Sequence, residues 1–395
     1  MPIRRPHRKS RHGCKACKQR RVKCDEERPV CTSCRIREEE CEYVAEASII
    51  WADETVRRPK RRKSSLKDNE TTTPDTSDAS DAPFNILDSP PRQQPSTQDA
   101  SLDIAQMRLL VNWQRETCQF FARGTETMAV WQVHTVDEAL KTPPLMHGIL
   151  SVSALHLALT EPAEQASWMA LATAHKGEAL HFLREGLGNV TPDNAQPLTA
   201  LAALAVAYAF GSALADLDAE RPSLDALNNV FVLCRGVEQI TDAAYYFMRQ
   251  SNFAPLFYPR DTSSAIPEYV HESLNHLNRL NTELHSEAHD AATYTQVIAE
   301  LVRLAGYAFT QPNSMTVAAG WPIGVSPKYL EYLQAKEPFA LVVLAHYCAF
   351  LHMPLGNCFL REWGQTVLQD IFEVLDEYWK PYISWPCAEV FGEIF

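Results

Sequence analysis

Six cysteines, Cys14, Cys17, Cys24, Cys31, Cys34 and Cys41, follow one interval rule, C-x2-C-x6-C-x6-C-x2-C-x6-C, within a stretch too short to enclose a core of its own. A disulfide framework would need an oxidising compartment. The N-terminal MPIRRPHRKSRH carries charge with no apolar segment or small-residue cleavage site behind it, which speaks against a secretory signal. It also lacks an apolar face to set against its arginines, so it does not read as a mitochondrial presequence. Reduced thiols at regular intervals then read as metal ligands.

The two halves of the pattern repeat each other. Each opens with a Cys-x2-Cys knuckle, which lets two sulfurs reach one ion across a tight turn, and closes with a third thiolate after a short helix and loop. Tetrahedral zinc takes four ligands, so two isolated three-thiolate halves would each be one short. If two of the six sulfurs bridge, two zinc ions each obtain four.

The residues between the cysteines are electrostatically unequal. Lys15, Lys18, Arg20, Arg21 and Lys23 fall between Cys14 and Cys24 with no acid, whereas the second half passes from Arg35 and Arg37 into Glu38, Glu39, Glu40 and Glu42. Phosphate attracts the first half and repels the end of the second, so the first half is expected to face double-stranded DNA. With its cysteine spacing the segment resembles the fungal Zn2Cys6 binuclear-cluster family of transcription factors. That resemblance implies two Zn2+ ions, bridging roles for Cys14 and Cys31, and a base-reading role for Arg21, with Arg20 the basic residue before it. Relatives usually read a CGG triplet, often with lysine where Arg21 stands; a guanidinium can bond guanine O6 and N7 in the major groove. Asp25 and Pro29 match the family pattern as well and are turn-forming residues.

Charge divides the chain. Residues 1–67 hold 20 Lys+Arg against 10 Asp+Glu, leaving 17 against 39 for the rest of a 395-residue chain of net charge −12. A protein acidic overall still binds nucleic acid when its basic residues are concentrated. The run Arg57, Arg58, Lys60, Arg61, Arg62 and Lys63 is a candidate nuclear localisation signal. Residues 64–100, rich in Ser, Thr, Asp, Gln and Pro, bury too little apolar surface to offset their ordering entropy and read as a disordered linker. No heptad pattern appears between the cluster and residue 101, so the protein is expected to bind DNA as a monomer or to form a homodimer through its C-terminal domain.

From residue 102 the pattern becomes helical. Segments near 102–122, 143–159, 163–187, 195–217, 223–240, 267–288, 291–309, 326–352 and 359–379 have helical periodicity, with Ile104, Met107, Leu110 and Cys118 as inward candidates in the first. No strand alternation competes, so the expected architecture is a small Zn2Cys6 module of two short helices (1–44), a linker (45–101) and a large all-α domain (102–395). Pro197 to Ala215 is uncharged and nearly long enough to cross a membrane. Its apolarity is mostly alanine, so a central core helix is expected and no membrane span.

Several stretches resemble the fungal-specific domain of sterol uptake control proteins: PLMHGILSVSALHLALTEP (144–162), AHKGEALHFLREGL (174–187), LCRGVEQI (233–240), WPIGVSPKYLEYL (321–333), EPFALVVLAHYCAFLH (337–352) and WKPYISWP (379–386). The resemblance implies a regulatory domain that forms dimers and takes an apolar small-molecule ligand such as a sterol; relatives with this domain also regulate secondary metabolism.

An enzyme is not expected. In HESLNH, His271 and His276 are five apart and do not share a helix face; GLGNV lacks the third glycine and the preceding strand of a dinucleotide loop; and no G-x-S-x-G elbow is present. His147, His156, His175 and His346 read as hydrogen-bonded core histidines, Cys118, Cys234, Cys348, Cys358 and Cys387 as buried small hydrophobes, and Trp321, Trp363, Trp379 and Trp385 as core. The expected protein is a nuclear transcription regulator, retained in the cytoplasm where a ligand controls it.

Overall fold

The computed structural model describes residues 15–20, 22, 24–25, 30–37, 41, 103–215, 221–258, 265–284, 289–354 and 356–392. Cys14, Arg21, Lys23, Pro29, Glu38 to Glu40, the basic run 57–63 and the linker lie outside them. Helices account for nearly all regular structure, and no strand occurs among the described residues.

The cysteine module contributes α1 (Lys15–Arg20) and α2 (Thr32–Arg35). The large body begins with α3 (Ile104–Arg115), whose first turn is capped by the Asp103 carboxylate accepting from Gln106 N at 3.1 Å. A 3-10 turn (Thr117–Phe121) leads to α4 (Thr125–Ala129) and α5 (Thr135–Ala139), joined through a π-helical turn at Val130–His134. Then come α6 (Pro143–Thr160), α7 (Gln165–Gly186), α8 (Ala195–Ala215) and α9 (Leu224–Met248). After a 3-10 turn at Ala254–Phe257 follow α10 (Glu268–Glu283), α11 (Ala291–Thr310), α12 (Met315–Gly324) and α13 (Pro327–Gln334). The last are α14 (Pro338–His352), α15 (Trp363–Val374) and α16 (Ser384–Phe391).

Helices that are apolar all round are buried, as such helices must be. α8 is buried along most of its length between α6, α7 and α9, the position expected for a core helix. α14 buries every residue from Phe339 to Leu351. Indoles and phenols tie the layers together: Trp363 Nε1 donates to Phe210 O and Trp321 Nε1 to Val297 O, both at 3.0 Å, and Tyr329 Oη donates to Ala340 O at 3.0 Å. α14 and α15 meet so closely at Gly364 that a Cβ there would lie 2.5 Å from Cys348 O and 2.6 Å from His352 N.

The first helix is rotated from its expected register. α3 buries Leu109 and Trp113, one turn apart, while Ile104 and Met107 are 68% and 44% exposed and Leu110 is half-buried; Cys118 is buried as expected. Apolar residues occupy two faces of α3, and the larger indole takes the core. The helix expected over 326–352 is two helices, because Lys336 adopts a left-handed φ of 54° and Pro338 starts α14 afresh. α9 runs eight residues beyond its expected end, and α12, α16 and the π-interrupted segment were not among the expected helices.

Candidate metal centre and nucleic-acid interface

The Sγ atoms of Cys17, Cys24 and Cys31 lie within 4.8 Å of one another, as do those of Cys31, Cys34 and Cys41. Cys31 belongs to both groups. Cys17 and Cys31 Sγ are 3.7 Å apart, against an edge of about 3.8 Å for a zinc–thiolate tetrahedron with 2.3 Å bonds. Cys17, Cys24, Cys31 and Cys34 are buried and Cys41 half-buried. The donor set therefore fits two zinc ions that share a sulfur, and zinc is the cofactor of this module. Bound zinc would hold the two short helices, which have almost no apolar core of their own, in register.

Local bonds explain why this sequence brings the sulfurs together. The Asp25 carboxylate accepts from Thr32 N at 3.0 and 3.2 Å, capping the first turn of α2 directly after Cys31. Cys31 N donates to Cys41 Sγ at 3.3 Å, and Arg35 Nη2 to Val30 O at 3.1 Å. At the end of α1, Val22 N donates to Cys17 O at 3.1 Å.

Arg20 turns towards the sulfurs. Its Nη2 lies 3.4 Å from Cys34 Sγ and 3.8 Å from Cys17 Sγ, and its Nε donates to Ala16 O at 3.2 Å. Six thiolates on two Zn2+ ions leave a net charge of −2, which a guanidinium over sulfurs of both halves offsets. This inward duty had no signal in the sequence, since it depends on Cys34 lying across from α1. Lys15 and Lys18 occupy backbone positions three apart on α1.

Away from the module, the expected core histidines are polar partners within the helical body. His156 Nδ1 meets Thr117 Oγ1 at 2.8 Å, and burial lowers its pKa to about 4. His346 meets Ser273 Oγ at 3.1 Å through Nε2 and Val342 O at 2.8 Å through Nδ1, and burial likewise lowers it to about 4. His147 and His175 meet each other, Nδ1 to Nδ1 at 2.9 Å. The five remaining cysteines are all buried, and burial raises the thiol pKa of Cys118 and Cys387 to about 11 and of Cys234 and Cys358 to about 12. They are inert packing groups.

Residues 12–48 match the family described as Fungal Zn(2)-Cys(6) binuclear cluster domain, and residues 108–213 the Fungal specific transcription factor domain. A Zn(2)-C6 fungal-type transcription factor of Gibberella zeae is 24% identical over 428 residues, covering 98% of this chain and 86% of the relative. The Zn(2)-C6 fungal-type transcription factor afumD of Aspergillus fumigatus is 24% identical over 359 residues, covering 86% of this chain and 85% of the relative. Sterol uptake control protein 2 of Candida albicans is 56% identical over 43 residues, which are 11% of this chain and 6% of that protein.

Proposed function

We propose that this chain, which matches a Zn2Cys6 cluster domain and a fungal specific transcription factor domain, is a fungal Zn2Cys6 transcription factor that reads CGG-like half-sites through the first half of its cluster. The observation that carries the reading is the shared position of Cys31 in two sulfur triads, which fixes α1 against α2 once zinc is bound. In this reading Lys15, Lys18 and Lys23 contact phosphate and Arg21 reaches guanine in the major groove, while Arg20 steadies the cluster from inside. Cys14 completes the ligand set as the second bridging sulfur. The basic run Arg57 to Lys63 directs nuclear import.

The helical half is the regulatory half, where a homodimer contact and an apolar ligand would act, with cytoplasmic retention as one form of control. Likeness along the whole chain is to the Gibberella and Aspergillus factors, neither of whose names specifies a sterol. The sterol uptake control protein shares a short stretch alone, so a secondary-metabolite or other pathway is as well supported a target as sterol genes.

Selection of duplexes from a random pool by the zinc-loaded full chain tests the reading. CGG-bearing duplexes are expected to enrich, Cys14→Ala to abolish retention, and Arg21→Ala to bind with base preference relaxed. Two bound zincs with no sequence enriched would overturn it. Promoter occupancy in sterol-depleted and sterol-replete cells then separates sterol genes from a single gene cluster as targets.

A further inference from the structure

A single exposed apolar side chain is ordinary on a protein surface, and only its setting gives it meaning. Among the described residues of the cysteine module two large apolar side chains are exposed, Val22 at 46% and Ile36 at 77%. Ile36 belongs to the second half and precedes Arg37 and the acids Glu38 to Glu40, where phosphate is repelled. Val22 belongs to the first half, between Arg21 and Lys23, in the stretch that holds no acid. Its N–H donates to Cys17 O at 3.1 Å, and Cys24 follows two residues later. Cys17 and Cys24 share one sulfur triad, so bound zinc would hold the backbone at Val22 from both sides while its isopropyl group stays open to a partner.

Arg20 and Arg21 are adjacent, and a pair of guanidinium groups would suit the two adjacent guanines of a CGG triplet. Arg20 is committed to the cluster, with Nη2 3.4 Å from Cys34 Sγ and Nε donating to Ala16 O at 3.2 Å. That leaves Arg21 for the bases at the end of α1, and the next residue along is Val22. An isopropyl group neither donates nor accepts a hydrogen bond, so it cannot sense the N7, O6, N6 or N4 groups of the base edges. The 5-methyl of thymine is the apolar group that the major groove displays. Neighbouring Cα atoms are about 3.8 Å apart and neighbouring bases of one strand about 3.4 Å, so Val22 reaches the pair beside the one that Arg21 reads. A CGG triplet has no thymine on either strand, which puts that pair next to the triplet.

We propose that Val22 is a specificity-determining residue that packs on the 5-methyl group of a thymine adjoining the triplet. The module then reads two chemistries side by side, hydrogen-bond acceptors through Arg21 and an apolar methyl through Val22. The inference rests on the reading that the first half of the cluster enters the major groove, and it lengthens the recognised site by one base pair. Valine suits the task because its branched side chain is stiff and loses little freedom on contact. One methyl group and part of an isopropyl leave water together, so the preference for thymine over the same base without its methyl is about three- to five-fold.

The test is fluorescence-anisotropy titration of the zinc-loaded full chain with duplexes that carry CGG between T·A pairs. Thymines on either strand are replaced one at a time by deoxyuridine, which lacks only the 5-methyl group. One replacement beside the triplet should weaken wild-type binding about three- to five-fold, and the others should leave it unchanged. That loss should vanish in Val22→Ser, shrink in Val22→Ala and persist in Val22→Ile, with two zinc ions retained in each variant. No methyl-sensitive thymine, or a sensitivity that survives in both Val22→Ser and Val22→Ala, overturns the role of Val22. A preference for CGG over a scrambled triplet without any methyl-sensitive thymine overturns it too, and leaves the triplet reading standing. A methyl-sensitive thymine that depends on Val22, with no preference for CGG, supports Val22 and sinks the triplet.

Discussion

The guanidinium of Arg20 lies 3.4 Å from the sulfur of Cys34, so a side chain from the first half of the cysteine module rests on a ligand of the second. The contact spans the module where no apolar core does. Arg20→Gln removes a positive charge beside an anionic sulfur cluster, and groups in this position typically change metal affinity by about 10- to 100-fold. Competition with a chromophoric chelator should show zinc lost about ten-fold more readily, with Arg20→Lys intermediate. Unchanged zinc affinity would limit Arg20 to the DNA face.

Cys31 and Cys41 should behave differently when replaced. Cys31 serves both sulfur triads and Cys41 serves one. Native mass spectrometry of Cys31→Ser is expected to find no stable zinc, whereas Cys41→Ser retains one ion near neutral pH. The same stoichiometry in both variants would remove the bridging role.

Stability should fall on acidification through two histidines. His156 and His346 have folded pKa values lowered by burial to about 4, below an ordinary value near 6.5. Each neutral imidazole is therefore favoured in the fold. The contribution is fully present above pH 6.5 and is lost as pH falls towards 4, because the unfolded chain takes up the proton first. Each group accounts for roughly 3 kcal/mol across that window, at about 1.4 kcal/mol per pH unit. Urea unfolding of the full chain between pH 7 and pH 4.5 should follow this decline, with a shallower slope in His346→Leu.

Two substitutions in the core should shift stability in opposite directions. Gly364→Ala places a methyl group 2.5 Å from a backbone oxygen that cannot rotate away. Overpacking of this kind costs about 1–3 kcal/mol, more than the roughly 1 kcal/mol that alanine gains over glycine in a helix. The net should be a Tm several degrees lower.

Thr199→Val keeps the shape and removes a buried hydroxyl that lacks a partner. Relief of that desolvation should raise stability by about 1 kcal/mol in the ligand-free protein. Scanning calorimetry checks it, and an unchanged or lowered Tm would show that the hydroxyl finds a partner in solution.

The parts legible in the sequence are those governed by local rules. Cysteine spacing is set by ligand geometry and fixed the zinc module, although Cys14 lies outside the described residues. Uninterrupted apolar runs marked α6, α8 and α14 because helices without a polar face must be covered. The break at Lys336 was not legible, since neither glycine nor asparagine marks the left-handed residue. The choice between Leu109 with Trp113 and Ile104 with Met107 on α3 depends on what packs opposite, as does the approach of Arg20 to Cys34.

The absence of a polar face on α8 also bears on where this chain can be cut. The stretch that matches the transcription factor domain ends at residue 213, inside α8, yet that helix is closed on one side by α9 and bonded through Phe210 O to Trp363 of α15. A fragment ending at the edge of the match would leave an apolar rod open to water. The edge of that match therefore falls inside the unit that folds, and the ribosome must deliver well over a hundred further residues before α8 has all its neighbours.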